Sequence, residues 1–194
     1  AQLGAECTAA AWLYDGHLES LFRRCENGTT AQRVGVTTVA AKACSNQESP
    51  SAEARSILIR SMDDPDATVS QAAAEVFSHK AFFTKALAPD IATAYARSGA
   101  FIAHPKSLLR PLAEDLSQAG RFQGAIGIMA SRFGELSGTQ VPWDLESELT
   151  TVILSLYEST EDAKIRNVCL DAFDDLLRAS SPRIQRHLDK LGAA

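Results

Sequence analysis

The sequence predicts an all-α fold, a right-handed solenoid of stacked antiparallel helix pairs, because one apolar spacing recurs along the chain. Four segments carry apolar or small residues at i, i+3, i+4, i+7 and i+8, positions that share one face of a helix. The segments are Ala31/Val34/Gly35/Thr38/Val39, Val69/Ala72/Ala73/Val76/Phe77, Phe122/Ala125/Ile126/Met129/Ala130 and Ile165/Val168/Cys169/Ala172/Phe173. Their first residues lie 38, 53 and 43 residues apart, close to the period of about 40–47 of stacked two-helix repeats. We therefore expect about four to five helix pairs.

A second apolar stripe precedes each of the last three segments, so each copy is predicted to be a helical hairpin. These partner stripes also have three- and four-residue steps. They are Ala54/Ile57/Leu58/Ile59/Met62, Leu108/Leu109/Leu112/Ala113/Leu116 and Leu145/Leu149/Val152/Ile153/Leu156. The breaks between partners carry capping, Gly or acidic residues, as at Asp63-Asp64-Pro65-Asp66 and Ser159-Thr160-Glu161-Asp162.

We expect a single repeat domain over residues 1–194. The repeat pairs are predicted at roughly 5–45, 51–79, 105–135 and 144–179, with an irregular insert at 80–104 and a closing helix at 181–192. The insert explains the long interval, because its apolar residues lie between the helix breakers Pro89 and Pro105. The β-like run from Val34 to Val39 follows the repeat register and is predicted to be helical.

The composition is that of a globular protein that folds in water, with 45% hydrophobic and 22% charged residues among 194. The sequence has no apolar run of about 18 residues and no secretory signal, so we expect a cytoplasmic protein with no membrane span. The net charge of −5 disfavours a nucleic-acid partner. The chain begins at Ala1 without a methionine, which fits a processed mature form or, as we favour, a fragment of a larger protein.

The four cysteines are interpreted as free thiols. Cys7, Cys25, Cys44 and Cys169 show no close paired spacing, and three of them lie among apolar residues. An even number of cysteines and the glycosylation acceptor Asn27-Gly28-Thr29 leave a secreted, disulfide-bonded form open. We disfavour that form, because a large helical chain does not need the disulfides on which small secreted domains rely.

Two segments resemble the second helix of a HEAT repeat, the unit of a family of α-solenoids. They run from Asp64 to Phe77 and from Glu161 to Asp174. Each has an acidic or Pro-containing turn, then a branched residue, small residues one turn later, and a large residue after those. The resemblance implies an α-solenoid over most of the chain.

The closing stretch is similar to the C-terminal ends of large multidomain bacterial signal-transducing NTPases, some of which act in antiphage defence. The residues that carry this similarity are Leu156-Tyr157-Glu158, Arg166, the run from Cys169 to Asp174, and Leu191. The similarity implies a sensor or scaffold region of a bacterial signalling or defence protein, with the nucleotide site in a part not present here.

No residue set in the sequence matches a catalytic, metal or cofactor site, so we predict neither an enzyme nor a cofactor. His104-Pro105-Lys106-Ser107 lacks the glycines of a phosphate loop, and no two of the four histidines have metal-ligand spacing. Asp171, Asp174 and Asp175 fit a solvated helix face better than a catalytic pair of carboxylates. Catalytic triads assemble in space, however, so a missing local motif does not exclude catalysis.

The leading hypothesis is an interaction scaffold that grips a protein or peptide, or an adjoining domain of the same polypeptide, in a concave groove. Superposing the repeats places Arg33, Gln71, Gly124 and Asn167 in one surface row, and Thr37, Glu75, Ile128 and Asp171 in the next. The acidic residues Asp171, Asp174 and Asp175 are predicted to dock a basic surface. An ordinary solvated face would show the same pattern.

Trp143 has two interpretations. The favoured one is a residue that packs the start of the helix containing Leu145, and the other is an exposed interface anchor. The rival function is a helical-repeat enzyme such as a DNA glycosylase, for which Asp144 beside Trp143 would be the candidate pair. That rival needs a basic groove, which the acidic balance disfavours.

Overall fold

The computed structural model describes residues 17–46, 50–78, 88–135 and 143–192, and within these ranges every regular element is a helix. The prediction of an all-α fold is therefore confirmed for this part of the chain. The helices are α1 (Leu18–Cys25), α2 (Thr30–Asn46), α3 (Ala52–Met62), α4 (Ala67–Ala74), the 3-10 helix η1 (Glu75–Ser78), α5 (Pro89–Arg97), α6 (Gly99–Ala103), α7 (Lys106–Glu114), the 3-10 helix η2 (Leu116–Phe122), α8 (Gln123–Glu135), α9 (Trp143–Ser159) and α10 (Ala163–Gly192).

Capping residues explain where several helices begin. The Ser51 side chain accepts a hydrogen bond from the backbone N of Ala54 at 3.1 Å and starts α3. The Asp66 carboxylate accepts one from the backbone N of Thr68 at 2.9 Å and starts α4. Pro89 is the first residue of α5, where its missing N–H is not needed. The predicted break at residues 63–66 is thus confirmed.

The chain divides into two compact units, with the division between Leu108 and Leu109. In the first unit the helices pack in a regular order: α1 against α2 and α3, α2 against α3 and α4, α3 against α4 and α5, and α4 against α6. Tyr95 is fully buried, with its ring centroid 4.4 Å from that of Phe77 and 5.9 Å from that of Phe101. The first unit therefore has a core of its own.

In the second unit, η2, α8, α9 and α10 pack against one another, and the pair α8 and α10 is the most extensive. A Cβ atom added to Gly127 of α8 would lie 3.2 Å from Val168 Cγ1, and one added to Gly134 would lie 3.3 Å from the backbone O of Asp175. Seven residues separate the members of each pair on both helices, and both increase in the same direction. The helices α8 and α10 are therefore parallel and closely packed, with glycine at two points of contact.

The burial of the repeated segments tests the predicted register. All five residues of the third segment are buried, as are four of five in the second, whereas Val168 of the fourth is 43% exposed. The register predicted for the first segment is wrong, because its five residues are exposed or half-buried. The residues that α2 buries instead are Val36, Thr37, Ala40, Ala41, Ala43 and Cys44. Small and apolar residues occupy nearly every side of α2, so periodicity alone could not select its buried face.

The last helix differs from its prediction in length. The stretch 181–192, predicted as a separate closing helix, continues α10, which runs from Ala163 to Gly192 without a break. Residues 5–16 of the first predicted pair and residues 80–87 of the predicted insert lie outside the described residues. The rest of the insert is not irregular, because it forms the helices α5 and α6. Among the helices that are described, none has the length and apolarity to cross a membrane.

Candidate interaction surfaces

Arg33, the first of the predicted groove residues, lies in the first turn of α2 and binds the chain itself. Its Nε donates to Asp64 Oδ2 at 2.9 Å, and its Nη1 donates to the carbonyl oxygen of Gly28 at 3.0 Å. Its Nη2 lies 3.8 Å from Asp66 Oδ2, and its side chain is 23% exposed. A guanidinium held by two carboxylates of its own chain has few donors left for a partner. Arg33 thus joins α2 to the turn before α4.

The N-terminal ends of α2 and α4 are tied together by a second contact. Thr30 Oγ1 donates to Asp66 Oδ2 at 2.7 Å, and this hydrogen bond is the main reason why the pKa of Asp66 is lowered. The same carboxylate caps α4. Asp66 is therefore charged at neutral pH and belongs to the fold, not to a binding surface.

The other predicted residues of the first unit divide between surface and core. Gln71 on α4 and Glu75 at the start of η1 are exposed, as predicted. Thr37 is buried on α2, where its Oγ1 donates to Ser61 Oγ on α3 at 2.9 Å. The predicted row that contained Thr37 and Glu75 is therefore wrong at Thr37, for the same reason as the register of α2.

The predicted residues of the second unit lie on α10. Asn167, Asp171 and Asp174 are exposed, and Asp175 is half-buried beside Gly134. We call Asp171, Asp174 and Asp175 the acidic cluster. Asp174 accepts a hydrogen bond from Arg178, and Asp175 Oδ1 lies 3.8 Å from Arg178 Nη1. The structure thus places this cluster on one helix, with one arginine beside it.

Trp143 is the first residue of α9, and its side chain lies outside the described part of the chain. Neither interpretation of Trp143 is tested. Its neighbour Asp144 is exposed, with its Oδ2 4.0 Å from Arg110 Nη2, while Glu148 Oε1 lies 3.5 Å from Arg110 Nε. Asp144 and Glu148 therefore form an ion-pair group that connects α9 to α7 within the second unit.

The thiols of Cys44 and Cys169 are buried, and burial disfavours their ionised, reactive form. Cys44 is fully buried, and burial raises its pKa to about 12, although nearby Arg55 acts in the opposite direction. Burial also raises the pKa of Cys169. A thiol that keeps its proton at neutral pH is a poor nucleophile and a poor metal ligand. Within the described ranges, no three His, Cys, Asp or Glu side chains are grouped so as to hold a metal ion.

The helix α10 also has an exposed apolar feature that the repeated pattern does not predict. Leu170 and Leu177 are 52% and 56% exposed and lie seven residues apart. At 3.6 residues per turn they lie about 80–100° around the helix from buried Cys169, on the side away from Val168 and Asp175, which contact α8. We call Leu170 and Leu177 the α10 stripe. The seven-residue spacing of these two leucines is visible in the sequence, but neither leucine occupies a position of the repeated apolar pattern.

The sequence matches no protein-family profile, no curated protein and no solved structure.

Proposed function

We propose that this chain is a HEAT-like α-solenoid that acts as a non-enzymatic interaction scaffold or sensor module of a bacterial cytoplasmic signalling or defence protein. The observation that carries the proposal is the packing order of the helices. In the first unit α1 packs against α3, α2 against α4, and α3 against α5, in addition to their neighbours in sequence. In the second unit η2 packs against α9, and α8 against α10.

This order is the one expected of stacked helix pairs. When hairpins stack, each first helix contacts the next first helix, and each second helix contacts the next second helix. Successive second helices then run parallel, as α8 and α10 do. We apply this interpretation to each unit separately.

The charged and thiol groups that could take part in catalysis instead contact other residues of the chain or stay protonated, which fits an interaction role. Arg33 is bound by Asp64, Cys44 keeps its proton, and Asp144, one member of the pair that suggested a glycosylase, lies beside Arg110. Exposed polar residues remain on the predicted second helices, namely Gln71 and Glu75 in one unit and Asn167 and Asp171 in the other. We assign these to partner binding.

Charge favours a basic partner for the second unit. Residues 143–175 contain nine acidic residues and two basic ones, a net charge of −7, whereas the whole chain carries −5. The rest of the chain therefore carries +2. An acidic surface of this kind steers a basic partner and raises its association rate, and the effect weakens with salt.

The test compares two matched double variants as baits in affinity purification with quantitative mass spectrometry. Asp171→Lys with Asp174→Lys reverses two exposed acids of the cluster and leaves half-buried Asp175 in place. Glu26→Lys with Asp63→Lys reverses two exposed acids of the first unit and is the control. We expect the first variant to lose a specific partner that the wild type and the control retain.

The binding kinetics of the recovered partner then decide the outcome. The association rate with the wild type should fall between about 0.05 and 0.5 M salt, and the first variant should show a slower, flatter dependence. A partner whose association rate ignores both the reversal and the salt would contradict a binding role for the acidic cluster.

A further inference from the structure

The helix α10 continues past the helix against which it packs most extensively. Gly134 lies beside Asp175, and α8 ends one residue later at Glu135, whereas α10 continues to Gly192. Among the described side chains of α10, Leu176 is the last one that is buried. We call residues 177–192 the tail of α10. It extends about 24 Å beyond the end of α8, at 1.5 Å per residue.

The α10 stripe continues into the tail in sequence. Ile184 and Leu191 follow Leu177 at seven-residue steps in the sequence of α10, so Leu170, Leu177, Ile184 and Leu191 form one heptad-spaced apolar series. A seven-residue apolar repeat keeps one face of a helix turned toward a second helix that runs along it. The exposure of Leu170 and Leu177 shows that none of the helices in the described ranges covers the first half of that face.

The charge along the second unit indicates which helix fits there. Residues 143–175 carry nine acidic and two basic residues, whereas residues 176–192 carry four basic residues and one acidic residue. A tail that ran antiparallel along the α10 of another molecule, with position 191 opposite position 170, would place the register positions of Lys190 and Arg186 opposite those of Asp171 and Asp175. The same contact would be made twice in a two-fold dimer, as an isologous interface requires.

We propose that two copies of this chain pair through α10, with the tail of each packed antiparallel along the α10 stripe of the other. Leu170 of one copy then faces the region of Leu191 of the second, and Leu177 faces the region of Ile184. This inference deepens the proposed interaction role and rests on it, since the basic partner of the acidic surface is here the chain's own tail. The partner's tail lies on the side of α10 where the next second helix of a stack would pack, but it runs in the opposite direction.

The first experiment measures the oligomeric state of the purified full chain by sedimentation equilibrium. We expect the wild type to dimerise below about 100 µM at about 0.15 M salt. Leu170→Glu with Leu177→Glu should raise the dimer dissociation constant at least about 100-fold, with an unchanged far-UV circular dichroism spectrum. Ile102→Glu replaces a residue of the first unit that is 46% exposed, and this control should dimerise as the wild type does.

The second experiment tests the antiparallel direction with charge. Two charge reversals should each weaken the homodimer about tenfold or more, because like charges then face each other. The first is Asp171→Lys with Asp174→Lys, and the second is Arg186→Glu with Lys190→Glu. An equimolar mixture of the two variants should form a heterodimer more tightly than either forms a homodimer. In a parallel dimer the wild type would already oppose like charges, so these single-end reversals would not weaken it.

Two outcomes would overturn the self-pairing. One is a wild type that stays monomeric at about 100 µM, and the other is a dimer that the double leucine variant leaves intact. Neither outcome contradicts the proposed scaffold role, which is tested by whether the chain with an intact acidic cluster captures a different protein. Conversely, if no different protein is captured, the sedimentation measurement still decides whether the chain forms a homodimer.

Discussion

Ala73 and Glu75 lie two residues apart in sequence and have opposite environments. Ala73 is fully buried on α4, and Glu75 is exposed. We expect Ala73→Arg to destabilise the fold by several kcal/mol, since it buries an unpaired charge, and Glu75→Arg to change stability by no more than about 0.5 kcal/mol. Urea denaturation measures both free energies. Equal values for the two variants would show that the register of α4 is wrong.

Two buried groups that keep their protons, a thiol and a phenolic hydroxyl, make the stability of the fold decrease at alkaline pH. Burial raises the pKa of Cys44 from 9.0 to about 12 and that of Tyr95 from 10.0 to about 12. Between pH 9.0 and about 12 the unfolded chain loses these protons and the folded chain keeps them, so stability must fall as pH rises. Each group contributes at most about 1.4 kcal/mol per pH unit.

The variant Tyr95→Phe separates the two contributions. It removes the phenolic hydroxyl group, which donates to the carbonyl oxygen of His104 at 2.8 Å, and it retains the aromatic ring. We expect a lower stability at neutral pH but a shallower decline above pH 10.0 than in the wild type. Urea titrations at several alkaline pH values give the slopes. Equal slopes would mean that Tyr95 ionises freely in the folded chain.

At the scale of single helices, three glycines meet different surroundings. A Cβ atom at Gly35 of α2 would meet nothing within 4 Å, one at Gly127 would meet a side-chain atom of Val168, and one at Gly134 would meet backbone atoms of Asp175. Replacing glycine by alanine inside a helix stabilises it by up to about 1 kcal/mol where space allows. We expect Gly35→Ala to stabilise the protein and Gly134→Ala to destabilise it, with Gly127→Ala between them because the Val168 side chain can rotate.

Thermal unfolding of the three glycine variants tests that order. Gly35→Ala is the matched control, since it makes the same chemical change on a helix of the other unit. A stabilisation by Gly134→Ala equal to that of Gly35→Ala would show that α8 and α10 are not in close contact.

The helices differ in how far their sequences determine them. In α9, from Leu145 to Leu156, Glu, Ser and Thr residues separate most of the apolar ones, so the period of 3.6 identifies the buried face. In α2 the residues from Val34 to Cys44 are nearly all small or apolar, and the buried hydrogen bond from Thr37 to Ser61 depends on a helix elsewhere in the sequence. Ion pairs such as that of Arg33 with Asp64 depend on tertiary contacts in the same way. Composition and local period carry no information on these contacts.

At the scale of the whole molecule, the described helices predict a simple spectroscopic result. We expect far-UV circular dichroism of the full chain to show the double minimum of an α-helical protein, because all the regular elements of the described ranges are helices. A spectrum with a large β contribution would contradict the fold, and with it the assignment of α10 as one continuous helix.

Because Cys44 is buried, its reaction with a thiol reagent reports local opening of the fold around α2. The thiol lies on α2 with 0% of its surface exposed, and its pKa of about 12 leaves almost no thiolate to react while the helix is in place. An alkylating reagent therefore reaches Cys44 only when α2 separates from its neighbours. When closing is faster than alkylation, the ratio of the observed rate to that of the denatured chain gives the equilibrium constant for this opening. Half-buried Cys25, on the preceding helix, should be alkylated sooner.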